Sequence, residues 1–174
     1  FEWIAQAMAG AMSMTGWPDG PPTKAIGGLA DTGAGLHAAI GILAAIIQRQ
    51  ATGVGQQIEV AQQEAVVNLL RIHLRDTYAT GKPVPRQGNR SVNAAPSNLY
   101  RCRPGGPNDY VFIHCASVEM WKTLTTIVGR PELGDDPRYA DRRDRVQFID
   151  EVDAMIEAWT EKRTKHEVLE ILAG

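Results

Sequence analysis

Residues 81–97 are rich in glycine, proline, asparagine and serine, and they divide the sequence into two parts. Neither a helix nor a central strand tolerates this composition, because proline lacks a backbone N–H and glycine is costly to order. A structureless connection of this length is uncommon inside a compact domain. The segment therefore predicts either a domain boundary or an active-site loop.

The part before this segment is mostly helical by its apolar spacing. The pattern predicts a helix over residues 1–14, a second from Asp31 to about Gln50, and a third over about residues 62–79. Alternation over residues 58–61 predicts one short strand. A strand without a partner is not stable, so we expect its sheet to be completed by sequence outside this chain.

The part after the segment has the pattern of an α+β unit. Two predicted strands, residues 99–103 and 110–115, flank a turn that is rich in glycine and proline. Helical spacing follows over about residues 118–128, 142–162 and 165–172. We therefore expect a hairpin covered by helices.

Charge and hydropathy exclude several classes of protein. The 174 residues carry 18 Lys and Arg against 20 Asp and Glu, so no basic surplus indicates a nucleic-acid partner. The longest apolar run, residues 36–47, is shorter than the ~20 residues that cross a bilayer, and it predicts a buried helix. The chain begins at Phe1 inside a helical pattern, so we expect its true N-terminus to lie upstream. No signal peptide is visible in the sequence, and we expect a cytoplasmic protein.

The two cysteines, Cys102 and Cys115, flank the predicted hairpin, and one possible pairing of its strands would let them face each other. In a cytosolic chain, two thiols are more often free than bridged. No CxxC or HxxxH spacing accompanies His114, so we predict no metal site.

Asp31 is the strongest candidate in the sequence for a chemically reactive side chain. It stands at the predicted N-cap of the second helix, where a carboxylate accepts hydrogen bonds from free N–H groups. The helix dipole favours its charge by about 0.3–1 kcal/mol. Asp31 then either only caps the helix or, if its carboxylate is open, attacks a thioester as a nucleophile.

Other polar and small residues leave alternatives open. Gly33 and Gly35 weaken a helix, which indicates either close approach of a ligand or tight helix packing. His37 lies six positions after Asp31, too far round a helix for a catalytic relay. Three cations on the connecting segment, Lys82, Arg86 and Arg90, form a mild positive group that suits an anionic ligand or only solvent.

Several motifs in order along the chain resemble class III CoA-transferases. They are Gly-Pro-Pro-Thr at residues 20–23, Leu-Ala-Asp-Thr-Gly-Ala-Gly-Leu-His at 29–37, Thr-Gly-Val-Gly-Gln at 52–56, Asn-Leu-Leu-Arg-Ile-His-Leu-Arg-Asp at 68–76, Gly-Gly-Pro-Asn-Asp-Tyr at 105–110, Gly-Arg-Pro-Glu-Leu at 129–133 and Asp-Asp-Pro-Arg-Tyr at 135–139. The segment 68–76 is especially similar to formyl-CoA transferases. The resemblance covers essentially the whole chain.

The resemblance implies a reaction. In that family the residue matching Asp31 attacks an acyl-CoA thioester, and an aspartyl anhydride and then an aspartyl-CoA thioester follow. A carboxylic acid finally takes up the coenzyme A. Glu2 matches a position near the active site. The substrates are thus an acyl-CoA and a carboxylate, with no metal and no permanently bound cofactor.

The resemblance also implies an α/β fold. Residues 1–63 match part of a Rossmann-like large domain, which is mostly helical with one short strand. Residues 64–88 match a linker helix and loop. Residues 89–174 match an incomplete small α+β domain. The family's N-terminal half, with most of its coenzyme A contacts, and its C-terminal segment are absent. We therefore expect a fragment that is inactive alone, from an interlocked homodimer without nucleic-acid or membrane partners.

Two other functions fit the same residues less well. An α-methylacyl-CoA racemase pairs the aspartate with a histidine near the position of Phe1, and phenylalanine cannot carry a proton. A non-catalytic dimerisation fragment is the other alternative. Residues 90–96 also lack the glycine run of formyl-CoA transferases, so the resemblance does not fix oxalate as the acceptor.

Overall fold

The computed structural model describes residues 1–173 and, among these, every side chain except that of Asp76. The chain divides into two compact units: the first is Phe1–Gly88, and the second begins at Asn89. Each unit has its own hydrophobic core.

The described residues of the first unit fold into helices and loops. The helices are α1 (Glu2–Met8), α2 (Ala11–Met14), α3 (Leu29–Thr52), α4 (Gln62–Leu69) and α5 (Arg71–Thr80). The predicted first and second helices are confirmed in type, although the first is split by Gly10, which has a left-handed φ of 85°. The predicted third helix is interrupted at Leu70 and becomes α4 and α5.

Helix α3 begins two residues earlier than the sequence predicts. Its N-cap is Gly28, whose left-handed φ of 85° is favourable for glycine. Asp31 is therefore the third residue of the helix and does not occupy the N-cap, so its predicted capping position is wrong. Gly28 has no side chain that could accept a hydrogen bond, so the first N–H groups of α3 need an acceptor from elsewhere.

The core of the first unit holds the start of α3 against α1 and α4. Its buried members are small residues, Ala5, Ala9, Ala11, Ala30 and Val66. A Cβ on Gly33 would lie 3.0 Å from Leu69 Cδ1, so Gly33 lets α4 approach α3 closely. This contact favours the packing interpretation of Gly33.

Residues 58–61 do not form the predicted strand. Ala61 has an extended backbone, but residues 58–61 belong to no sheet of the described chain, and Ile58 packs over Gly41 of α3. Alternating apolar and polar residues indicate which side chains pack against a neighbouring element, but a strand also needs a second strand to which its backbone can hydrogen-bond. The strand prediction is thus wrong for the described chain.

Most of α3 beyond its first turns is exposed, which contradicts the predicted buried helix. Its exposed apolar residues include Leu36, Ile40, Ile42, Leu43, Ile46 and Ile47. By length and composition alone α3 could also cross a membrane, a test that core helices of soluble proteins pass as well. An apolar surface of this size needs a cover that the described residues do not provide.

The second unit contains the predicted hairpin, which is confirmed. Strands β1 (Ser97–Arg101) and β2 (Tyr110–His114) pair in an antiparallel register that places Leu99 opposite Phe112. The helices are α6 (Val118–Ile127), α7 (Glu132–Asp135), α8 (Ile149–Thr160) and α9 (Lys165–Ala173), with 3₁₀ turns at Pro137–Tyr139 and Asp144–Phe148. The helix predicted over residues 142–162 is therefore shorter.

Trp121 lies at the centre of the second core and is 0 % exposed. Its ring stacks on Tyr139, and its indole N–H donates to the carbonyl of Leu133 at 3.0 Å. The guanidinium of the buried Arg145 lies 4.8 Å from the ring centroid. Asp153 adds a buried polar contact, accepting hydrogen bonds from Tyr100 at 2.6 Å and from Arg90 at 2.8 Å.

We predict that Trp121→Ala lowers the free energy of unfolding by about 3–5 kcal/mol, because it leaves a cavity and removes the indole hydrogen bond. Phe112→Ala is the matched control, since Phe112 is 59 % exposed; its loss should be about 1 kcal/mol or less. Urea denaturation compares the two. Equal losses would show that Trp121 is not central to this core.

Candidate active site

The carboxylate of Asp31 lies at the surface of the first unit. Asp31 is exposed on the first turn of α3. Its Oδ1 accepts a hydrogen bond from Nε2 of Gln62, the first residue of α4, at 2.5 Å. The arrangement fixes one carboxylate oxygen and leaves the group accessible to a reactant.

Glu2 supplies the missing cap of α3. Its Oε2 accepts from the backbone N–H of Asp31 at 2.8 Å, and both of its oxygens accept from the N–H of Ala30 at 3.1 Å. The carboxylate is only 9 % exposed and meets the positive end of the helix dipole. Glu2 therefore contacts the backbone of Asp31, and its side chain holds the start of α3.

The pKa of Glu2 reflects these contacts. Burial raises the pKa of the carboxyl, but the backbone N–H groups of Asp31 and Ala30 and the side chain of Gln6 lower it more, so its net pKa falls below the usual range. Hydrogen bonds to the ionised form explain this direction. Glu2 is consequently a carboxylate at neutral pH.

Gln6 extends the same network to the loop that enters α3. Its buried amide donates to Glu2 Oε1 at 2.5 Å and to the carbonyl of Ile26 at 2.9 Å. Its Oε1 accepts from the N–H of Ala25 at 3.1 Å. Helix α1 thus holds both the loop and the first turn of α3.

His37 takes part in a separate contact between α3 and α4. Its Nδ1 lies 2.6 Å from the carbonyl of Gly33, which can only accept, so Nδ1 carries the proton. Its Nε2 then accepts from Nδ2 of Asn68 at 2.7 Å. In the described part of the chain His37 bonds to these groups and not to Asp31, in agreement with the absence of a relay.

The positive group on residues 82–90 is not a single anion site. Within the first unit, the guanidinium of Arg86 donates to the carbonyls of Ser13, Trp17 and Gly20. Within the second unit, Arg90 pairs with Asp150 and Asp153 at 2.8 Å. Of the three cations, only the exposed Lys82 fits the alternative that they contact solvent alone. Arg86 and Arg90 each bond to other residues of their own unit.

The cysteines do not compete with Asp31 as nucleophiles. Both are free, as predicted, and both are buried. Burial raises the pKa of Cys115 to about 11, and burial also raises the pKa of Cys102, so both stay protonated at neutral pH. Across residues 1–173, leaving aside the side chain of Asp76, no group of three or more His, Cys, Asp or Glu is placed to hold a metal ion.

The sequence pattern did not reveal Gln62 or Gln6. Gln62 follows Asp31 by 31 positions, and only the return of residues 54–61 along α3 brings the two together. No local spacing carries this information. The one available indication was that Gln62 is the first residue of a predicted helix, and side chains at helix starts often lie at functional sites.

The family of the chain follows from comparison with known proteins. The family model described as CoA-transferase family III matches residues 1–174. The chain belongs to this family.

Individual relatives agree with this assignment. A formyl-CoA:oxalate CoA-transferase of Streptomyces avermitilis is 44 % identical over 185 residues, with 99 % of this chain and 45 % of that protein covered. A protein with the same name from Bradyrhizobium diazoefficiens is 35 % identical over 191 residues, with the same coverage. The chain therefore spans about half the length of the curated relatives it matches.

Solved structures give the same result for the fold. A CAIB/BAIF family protein from Brucella suis aligns with a TM-score of 0.79 and 32 % identity, over 99 % of this chain and 45 % of that one. Rv3272 from Mycobacterium tuberculosis aligns with a TM-score of 0.80 and 25 % identity, over 99 % and 43 %.

We predict that Glu2→Gln destabilises the first unit at neutral pH, because it replaces a charged acceptor at the start of α3. Since the folded state lowers the pKa of Glu2, its contribution is fully present above the ordinary value of 4.5 and is lost as the pH falls through the lower folded value. The difference in unfolding free energy between wild type and variant should therefore shrink below about pH 4.5. Denaturation at several pH values measures it.

Glu59→Gln is the control for this experiment, since Glu59 is exposed. It should leave stability unchanged at every pH. A Glu2→Gln variant as stable as wild type at pH 7 would show that Glu2 does not stabilise α3.

Proposed function

We propose that the complete protein containing this chain transfers coenzyme A from an acyl-CoA to a carboxylic acid, with Asp31 as the nucleophile. Membership of CoA-transferase family III and the names of the relatives support transfer of coenzyme A. The observation that carries the role of Asp31 is its exposed carboxylate, held at the start of α3 by contacts to its backbone and to Oδ1.

The first half of the reaction forms a covalent enzyme. One carboxylate oxygen of Asp31 attacks the thioester carbonyl, the carbon–sulfur bond breaks, and coenzyme A leaves as a thiolate, which gives a mixed anhydride. The thiolate then attacks Cγ of Asp31 and expels the acyl group as a free carboxylate. Two easier steps thus replace one difficult step.

The second half reverses these steps with a different acid. The acceptor carboxylate attacks Cγ of the aspartyl-CoA thioester, and the thiolate leaves. The thiolate then attacks the acceptor carbonyl of the new anhydride, which yields the new acyl-CoA and the free Asp31 carboxylate. All nucleophiles and leaving groups are anions, so no proton needs to be moved.

Glu2 takes a positioning role in this proposal. It is nearly buried and bonds to the backbone N–H groups of Ala30 and Asp31, so it acts on the reaction through the placement of α3. A carboxylate suits this role, because its two oxygens accept both backbone N–H groups.

The chain is part of a larger protein in this mechanism. In the complete protein, residues 1–63 are part of a Rossmann-like large domain, residues 64–88 form a linker, and residues 89–174 belong to a small α+β domain. Sequence beyond the chain supplies most coenzyme A contacts and covers α3, so the 174-residue chain alone is inactive. The complete protein is a cytoplasmic homodimer that binds neither membrane nor nucleic acid.

The acyl donor and acceptor are assigned only by class. The relatives named above are formyl-CoA:oxalate transferases, but residues 90–96 of this chain lack a glycine run. We therefore propose an acyl-CoA donor and a carboxylate acceptor. Racemisation is not favoured, because Phe1 has no group that carries a proton.

We predict that Asp31→Asn in the complete protein lowers kcat by about 10³-fold or more, because an amide cannot form the anhydride. A panel of acyl-CoA donors and carboxylate acceptors, read by mass spectrometry of the acyl-CoA products, measures the loss. Asp19→Asn, an exposed aspartate of the same unit, is the control and should keep full activity. Undiminished transfer by Asp31→Asn would refute the proposed mechanism.

The exposed face of α3 gives a second prediction. The 174-residue chain by itself should bind a hydrophobic dye strongly, because the apolar residues of α3 are uncovered. The complete protein should bind little dye and remain in the supernatant after membranes are pelleted. Sedimentation of the complete protein with membranes would contradict the proposed cover.

A further inference from the structure

We propose that Gln62 is a catalytic residue of this site, whose side-chain amide donates to the oxyanion that forms on Oδ1 of Asp31. The inference rests on the proposed function, since it concerns the steps in which Cγ of Asp31 is attacked. Gln62 touches a reacting atom directly: Nε2 lies 2.5 Å from Oδ1.

The structure holds Gln62 firmly enough for this role. Gln62 is the first residue of α4 and is half-buried. The same helix carries Ala65 and Val66, which are 2 % and 0 % exposed, and Val66 belongs to the core with Ala5 and Ala30. Both partners of the hydrogen bond therefore stand on the first turns of helices that share one core, so little reorganisation is needed when charge develops.

The contact distinguishes the two oxygens of the carboxylate. Because Gln62 holds Oδ1, the oxygen that attacks the thioester is Oδ2. After this attack Oδ2 bridges to the acyl group, and Oδ1 is the carbonyl oxygen of the aspartyl group. The donor already points at the oxygen that receives the electron pair in the next step.

The next step can be written in full. The thiolate forms a bond to Cγ, and the electron pair of the Cγ–Oδ1 double bond moves onto Oδ1. When this pair returns, the Cγ–Oδ2 bond breaks and the acyl carboxylate leaves with Oδ2. The attack of the acceptor carboxylate on the thioester passes through the same oxyanion, with the thiolate as the leaving group.

The side-chain amide of Gln62 stabilises the transition state more than it stabilises the resting enzyme. In the resting carboxylate the charge is shared by two oxygens, whereas the tetrahedral intermediate concentrates it on Oδ1. A hydrogen bond to the more concentrated charge is stronger, so the differential contact accelerates the reaction. Removal of one such donor typically costs about 10²–10³-fold in kcat.

The test uses Gln62→Leu in the complete protein, with Gln63→Leu as the matched control. Gln63 is an exposed glutamine of the same helical turn, and its amide faces the carbonyl of Met8. We expect Gln62→Leu to lower kcat by about 10²-fold and to leave KM for the acyl-CoA within about threefold. Gln63→Leu should behave as wild type.

A second readout separates catalysis from a structural effect. If Gln62 assists attack on Cγ, the variant should accumulate the acyl-aspartyl anhydride. Intact-protein mass spectrometry of quenched samples distinguishes this species from the aspartyl-CoA thioester, because the anhydride adds the mass of the acyl group and the thioester adds that of coenzyme A. Gln62→Met is close to glutamine in size but has neither the donor nor a charge that would repel Asp31. The same result is expected of it, and it replaces the leucine variant if that variant does not fold.

The outcomes distinguish this inference from the proposed function. Wild-type kcat in Gln62→Leu or Gln62→Met, with Asp31→Asn inactive, overturns the role of Gln62 alone. A loss confined to KM, without accumulated anhydride, also overturns it. Full transfer by Asp31→Asn refutes the proposed function and this inference together.

Discussion

The bond between the Glu2 carboxylate and the first turn of α3 determines where Asp31 lies. Helix α3 begins at a glycine that offers no side-chain cap, so its free N–H groups need an outside acceptor. Glu2 provides it from α1, and the bound N–H groups include that of Asp31 itself. A carboxylate that stabilises a helix start here also fixes the backbone of a candidate nucleophile.

The close approach of α4 depends on small residues at the same place. Gly33 leaves room for Leu69, and the alanines of α1 and α3 let the helices meet without large side chains. As a result Gln62, at the start of α4, reaches the carboxylate that projects from the start of α3. The small core therefore has a chemical consequence, because it brings two helix starts to one oxygen atom.

The sequence allowed part of this arrangement to be predicted. Apolar periodicity located α3 and the hairpin, and the ordered motifs identified the family and selected Asp31. The start of α3 was misplaced because its cap comes from Glu2, a residue 29 positions away, and local capping patterns do not contain such contacts. The strand at residues 58–61 and the burial of α3 were mispredicted for a related reason. Apolar patterning indicates which side chains suit a neighbour, but it does not show that a strand partner or a covering element is present. Gln62 was missed because no local pattern reports a contact over 31 positions.

The most direct measurement is the identity of the residue that becomes acylated. The complete protein is incubated with an acyl-CoA, quenched with hydroxylamine and digested, and the peptides are analysed by mass spectrometry. We expect a hydroxamate at Asp31, on the peptide that carries this residue, and we expect no hydroxamate there when acyl-CoA is omitted. A modification on another residue, or an unmodified Asp31 during active transfer, would contradict this expectation.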